Sequence, residues 1–214
     1  MTLEPAGEPA ELSAAENACL ELAWEALCRG SIPVGAVITD AAGRIVATGR
    51  NRMRDAARQP PELTGGLLSH AEVNAIARLD PDAKYQDHQL VTSLEPCPLC
   101  LGALAMSTIG AAVFLGADPY GGAAAGPRAA TRHTARFPLH VAGPRTDRPG
   151  RLAAGLHLAY FLRRNPAGHV VTGYRADRPD LAGAAGALVS AGLFDLAAAG
   201  LPWAAVSGQL LSAV

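Results

Sequence analysis

Apolar positions along the chain change from helical to alternating spacing and back. Leu12, Ala15, Cys19, Leu22, Ala23, Ala26 and Leu27 recur three and four apart, which predicts a helix with one apolar face. Ser13 and Glu16 fit a capping box at its start, and Gly30 ends it. Pro33 to Thr39 reads as a strand, Asp40 to Gly43 as a turn, and Arg44 to Gly49 as the other arm of a hairpin. Asn51-Arg52 closes that arm, and a polar loop with Pro60, Pro61, Gly65 and Gly66 follows. Ser69 is placed to cap a helix from His70 to about Leu79. Gln89 to Leu94 predicts a third strand and Ala111 to Leu115 a fourth. Between them, Pro96 and Pro98 suit the first turn of a helix reaching about Ser107, where a missing amide costs nothing.

From Gly121 the texture turns to glycine and alanine with many arginines. A helix is predicted over Arg151 to Arg164, a short strand over His169 to Tyr174, and two or three short helices over 179–214. Helices alternating with strands imply an α/β chain, a central sheet with helices on its faces. Residues 1–150 are expected to form the chemical domain and 151–214 a mostly helical C-terminal extension, with 1–11 a loose leader.

Composition narrows the class. With 214 residues, half of them hydrophobic and 17% charged, the chain can bury a sizeable core and does not read as disordered. A formal net charge of -1 gives no global attraction to nucleic acid. Glu4, Glu8 and Glu11 are unlike the basic start of a secretory signal. Four cysteines are too few for a disulfide scaffold at this length, so a reducing cytoplasm is expected, with Cys19 and Cys28 as small core residues. The uncharged stretch from Leu196 is interrupted by Gly200, Pro202, Ser207, Gly208 and Gln209, which favours buried or subunit-facing structure over a membrane span.

Two short stretches carry chemistry: Ser69-His70-Ala71-Glu72 and Pro96-Cys97-Pro98-Leu99-Cys100. One imidazole and two thiolates supply three zinc ligands and leave a fourth position for water, which distinguishes a catalytic zinc site from a closed structural one. Glu72, two residues past His70, is the candidate proton carrier for that water, and the combination H-x-E with P-C-x-x-C is the known signature of zinc deaminases. Each piece has a plainer reading. Glu72 could complete a capping box with Ser69, Cys97 and Cys100 could be a redox pair, and His70 could be a core histidine. Together those readings need three coincidences, so one Zn2+ per chain with a bound water or hydroxide is expected.

From Pro33 to about Ala123 the chain resembles the cytidine-deaminase-like superfamily, in particular its branch of tRNA adenosine deaminases and bacterial guanine deaminases. The resemblance rests on Pro33-Val34-Gly35-Ala36-Val37, Asn51-Arg52, His70-Ala71-Glu72-Val73 and Leu94 to Ala103. It implies a three-layer α/β/α fold with a central mixed sheet, a homodimer, zinc on His70, Cys97 and Cys100, and Glu72 as proton shuttle. Substrate contacts are expected at Asn51, Ala71 and Pro96, Asn51 matching the asparagine that hydrogen-bonds the base in that family. The departures concern substrate. The loop from Met53 to Leu68 is longer than usual, the basic C-terminal helix of the tRNA enzymes has no counterpart, and the aromatic and acidic tail of guanine deaminases is not found.

The first functional expectation is hydrolytic deamination of a small nucleobase or nucleoside, with no membrane partner. The second is adenosine-to-inosine editing in tRNA, and the third a zinc-stabilised binding protein whose catalysis has lapsed. Arg128, Arg132 and Arg136 could form a stripe for phosphates within a run of arginines extending to Arg151, although no interleaved aromatics accompany them and a solvated face is the plainer reading.

Overall fold

A computed structural model describes residues 11–57, 60–126 and 131–214. The first half runs α1 (Ala14–Cys28), β1 (Gly35–Thr39), β2 (Ile45–Arg50), α2 (Ala71–Ile76), β3 (Gln89–Leu94), α3 (Pro98–Met106) and β4 (Ala111–Gly116). The second half adds α4 (Arg132–Arg136), β5 (His140–Ala142), α5 (Arg148–Arg164), α6 (His169–Asp177), α7 (Pro179–Ser190), α8 (Leu193–Ala198) and α9 (Trp203–Ser212). The strands form one sheet in the order β2-β1-β3-β4-β5. β1 is antiparallel to both β2 and β3, whereas β3, β4 and β5 are parallel, so the sheet is mixed.

Alternation along the strands makes the three layers, because successive side chains point to opposite faces. Val37, Val91 and Leu115 face a cluster containing Leu20 and Trp24 of α1 and Leu152 and Leu156 of α5. Ala36, Ile38, Leu90 and Leu94 face the other way, onto Ala71 and Ala75 of α2 and Leu104 of α3. Gly49 lets α2 lie against β2: a Cβ there would run into the Ala71 carbonyl and the Ala75 amide. Gly116 does the same for α5, whose Ala154 amide occupies the space a Cβ would need. α2 and α5, one on each face of the sheet, are thus seated on glycines.

The α1 capping box forms as expected, with Ser13 and Glu16 exchanging bonds of 2.8 and 3.2 Å. Ser69 does not cap α2. Its hydroxyl accepts from the Gly66 amide and its own amide bonds the Gly66 carbonyl, so it closes the preceding turn, and His70 becomes the N-cap residue without a side-chain cap. α2 also ends at Ile76, short of the expected Leu79. The stretch from His169 to Tyr174 is helix α6 and not a strand. Val171 and Tyr174, three apart, are its buried residues, and the Thr172 hydroxyl bonds back to the Gly168 and His169 carbonyls, a pattern of helical period. β5 lay unread in the sequence and α4 was legible only as the arginine stripe, because neither contains a fully buried residue and so neither has an apolar rhythm.

The extension is built on the same core as the sheet. Leu181, Leu188, Leu193, Trp203, Val206 and Leu210 join the cluster that holds α1 and α5. Trp203 Nε1 donates to Asn17 Oδ1 at 3.0 Å, and Trp24 Nε1 donates to the Leu201 carbonyl at 2.8 Å. The uncharged tail is therefore packed against α1, and no helix among the described residues is long and apolar enough to cross a membrane.

Candidate metal centre and its cavity

Two helix starts meet outside the C-terminal ends of the parallel strands, where open α/β sheets place their ligand sites. His70 stands at the N-terminus of α2, and Cys97 is the N-cap residue of α3 with Pro98 in its first turn. Cys100, one turn further on, brings its sulfur back beside that of Cys97. His70 Nδ1 is 3.6 Å from Cys97 Sγ and 3.4 Å from Cys100 Sγ, and the two sulfurs are 3.5 Å apart. Ligands at zinc bond lengths in a tetrahedron stand about 3.6 Å apart for N and S and about 3.8 Å for two sulfurs. The three donors therefore fit one zinc ion, and all four cysteines of the chain are free thiols, so no disulfide competes for them.

Local charges agree with a metal-binding set. The Cys97 thiol is brought down to about 4, first by its hydrogen bond with Cys100 and then by His70 beside it. Cys100 is pushed up, because it shares the proton with Cys97 and lies buried. His70 is raised, chiefly by its bond to Cys97. The lowered Cys97 thiol and the start of α3 both favour the negative charge that a thiolate ligand carries.

Glu72 lies beside this trio and is 3% exposed. Its Oε2 is 3.2 Å from Cys100 Sγ, and its Oε1 accepts from the buried Thr92 hydroxyl at 3.2 Å. Burial raises its carboxyl above the usual carboxylate range, which makes proton uptake easier than in water. The carboxyl is not part of a helix cap, so the capping-box alternative fails.

His70, Glu72, Cys97 and Cys100 line one cavity of about 90 Å³ together with Asn51, Glu95, Asp118, His157 and the apolar Ile32, Val34 and Leu94. Pockets for drug-sized ligands hold about 300–1,000 Å³, so this one suits a single small ring. Asn51 follows β2 and is buried; its Oδ1 accepts from the Met53 amide at 3.1 Å. Arg50 anchors the same turn through bonds of 3.0 and 2.6 Å to Asp55. Ala71 lies fully buried behind His70, and Pro96 offers its carbonyl to the Ala123 amide; neither is among the residues lining the cavity.

Three polar lining residues, Glu95, Asp118 and His157, were not among the expected site residues. Glu95 accepts from the Asp118 and Ala124 amides at 3.2 and 3.1 Å, and Asp118 in turn holds the Tyr120 and Gly121 amides, so the two acids shape the loop after β4. His157 comes from α5, inside the C-terminal extension. Its one sequence signal is a lone histidine in the otherwise apolar run from Leu152 to Ala159. Arg132 and Arg136 are exposed on α4, while Arg128 lies outside the described residues.

A mixed sheet between helical layers, with an imidazole, two thiols and a buried carboxyl converging at its end, defines an α/β protein with a candidate metal centre. Sequence comparison makes the class specific. The cytidine and deoxycytidylate deaminase zinc-binding region matches residues 10–116, half of the chain, and the chain belongs to that family. Over 127 residues it is 41% identical to tRNA(Ile)-lysidine synthase of Deinococcus radiodurans, a match covering 58% of this chain and 20% of that protein. Over 112 residues it is 37% identical to tRNA-specific adenosine deaminase of Haemophilus influenzae, covering 51% of this chain and 60% of that protein. The chain thus spans a fifth of the first relative and three fifths of the second. Among solved structures, a tRNA:A34 deaminase aligns with a TM-score of 0.48 at 24% identity, over 61% of this chain and 91% of that one.

Proposed function

We propose that the chain is a hydrolytic deaminase of a small aminated heterocycle, a free nucleobase or nucleoside. The observation that carries this reading is the Glu72 carboxyl, buried in the same small cavity as the three donors and 3.2 Å from one of them. His70, Cys97 and Cys100 would hold one zinc ion, which when bound brings the pKa of a coordinated water to about 7. Glu72 takes one proton from the attacking water and delivers it to a ring nitrogen, then takes the remaining proton from the added hydroxyl as the carbonyl forms and gives it to the departing amine. Thr92 holds one carboxylate oxygen, and the other, Oε2, lies 3.2 Å from Cys100 Sγ, beside the metal donors. The ring carbon gains oxygen and loses ammonia, so one water is consumed for each ammonia formed. Asn51, whose Nδ2 has no protein partner among the described residues, is proposed to hold the base.

The cavity lining supports an uncharged ligand. Among the described residues it contains no lysine or arginine, whereas Glu72, Glu95 and Asp118 are acidic, which disfavours a phosphorylated nucleotide. The test is ammonia release from the zinc-loaded chain against guanine, adenine, cytosine, their nucleosides and tRNA. Turnover of a base or nucleoside supports the reading, and turnover of tRNA alone refutes it.

The second reading, editing of adenosine in tRNA, is favoured by one observation: several relatives at 31–37% identity are named tRNA-specific adenosine deaminases. On that reading, changing Arg128, Arg132 and Arg136 together to alanine weakens tRNA binding and lowers its salt slope by about 3. On the first reading, that change leaves base turnover as it was. A filter-binding titration at several salt concentrations separates them.

We also propose that the chemical machinery belongs to a unit of residues 1–150, that residues 151–214 supply one wall of its cavity, and that the chain forms a homodimer in a reducing, cytoplasmic compartment. Leu99, Gly102, Ala103 and Met106 make a stripe along α3, with Leu99 37% and Met106 67% exposed, the kind of small apolar face a second copy covers. Light scattering that returns the mass of one chain would contradict the dimer.

A further inference from the structure

The geometry points to His157 as a specificity-determining residue of the cavity, presenting Nε2 as a hydrogen-bond acceptor to an N–H or O–H of the substrate, with Tyr174 as the residue that positions it. This deepens the reading above and rests on it for the identity of the ligand. Three observations carry it. His157 is 6% exposed and yet lines the cavity beside the metal donors and Glu72, although it comes from α5 on the other face of the sheet. Its Nδ1 is 3.0 Å from the Tyr174 hydroxyl, and that hydroxyl is 3.2 Å from the Ala117 carbonyl. Among the described residues, Nε2 has no hydrogen-bond partner.

The tautomer follows from counting protons. The Tyr174 hydroxyl has one, and the Ala117 carbonyl can only accept it. The hydroxyl oxygen must therefore accept from the ring, which places the imidazole proton on Nδ1 and leaves a lone pair on Nε2. Burial lowers the pKa of His157, outweighing the nearby Asp118 charge, and so favours the neutral ring. Tyr174 is itself fully buried, with its phenol pushed well above its ordinary range, chiefly by burial, so it does not ionise and reverse the arrangement.

The consequence is selectivity for ligands with a donor at that wall. A buried acceptor left unpaired is costly, so an analogue lacking the donor is rejected more strongly than a lost contact alone would suggest. Ring packing supports a fixed orientation: Phe161 lies edge-on to His157 at 5.0 Å and Tyr174 at 5.8 Å between centroids.

The test uses the zinc-loaded full chain carrying Glu72→Gln, so that ligands bind without turning over, and calorimetric titration with guanine, adenine and cytosine. Adding His157→Leu is expected to weaken the best-bound base about ten- to hundredfold with zinc content unchanged. His157→Gln, which keeps an acceptor, restores part of that loss, and Tyr174→Phe gives an intermediate one. Long-range ¹⁵N spectra of the ligand-free chain are expected to show His157 protonated at Nδ1, and Tyr174→Phe to mix the tautomers. Affinity within twofold of the parent in His157→Leu overturns the inference, as does a proton on Nε2. Bases that bind with His157 dependence but release no ammonia in the Glu72 chain refute deamination and leave this inference standing. A chain that turns over bases indifferently to His157 does the reverse, and one that binds none of the three overturns the inference as well.

Discussion

Replacing Glu72 by glutamine is expected to lower turnover by about 10²–10⁴-fold while zinc content and fold stay as they are. The amide matches the carboxylate in shape and keeps a partner for the Thr92 hydroxyl, 3.2 Å away in the parent. It cannot take up and return a proton, and it carries no charge. A buried carboxyl is also costly to keep, so the variant should melt no earlier than the parent. Steady-state ammonia release, metal analysis and a thermal melt on the same preparation decide the matter. A near-normal rate would remove Glu72 from the chemistry.

The second large effect is at Cys97. Cys97→Ala leaves one imidazole and one thiol, and two protein ligands seldom hold zinc tightly. Metal content is expected to fall from one per chain to a small fraction, with activity falling to background. Stability should drop as well, because metal binding contributes to the folded state only when the ligand set is complete. Retention of one zinc per chain in this variant, measured by atomic emission after dialysis, would mean that the ligand set is wrong. Cys19→Ala is the contrasting substitution: Cys19 is fully buried between α1 and the sheet, its thiol pushed up by that burial, and its loss should leave metal content alone.

What was legible in the sequence follows from how local each signal is. β3 lies where its apolar run puts it, and the first helix begins at its capping box, because both depend on neighbours a few positions apart. The donors were legible for a different reason. His70 and the Cys97–Cys100 pair each sit at a helix start with a recognisable spacing, and only their meeting required the fold. Ser69 misled because a cap and a tight loop use the same residue type, and the Gly66 amide reached its hydroxyl first. The stretch from His169 misled because its β-branched Val170, Val171 and Thr172 favour strand locally, whereas packing of Val171 and Tyr174 into the core imposes helical period. His157 was illegible because nothing near it in the chain is reactive. Its place in the cavity comes from α5 packing on β4, a tertiary fact carried by Gly116 and Ala154.

The most direct measurement of the central claim is the source of the oxygen that replaces the amine. When the zinc-loaded chain turns over its best base or nucleoside in ¹⁸O-water, each product molecule should carry one ¹⁸O at the former amine carbon, with one ammonia released alongside it. Unlabelled product, or labelled product formed equally well by Glu72→Gln, would contradict hydrolysis at this site.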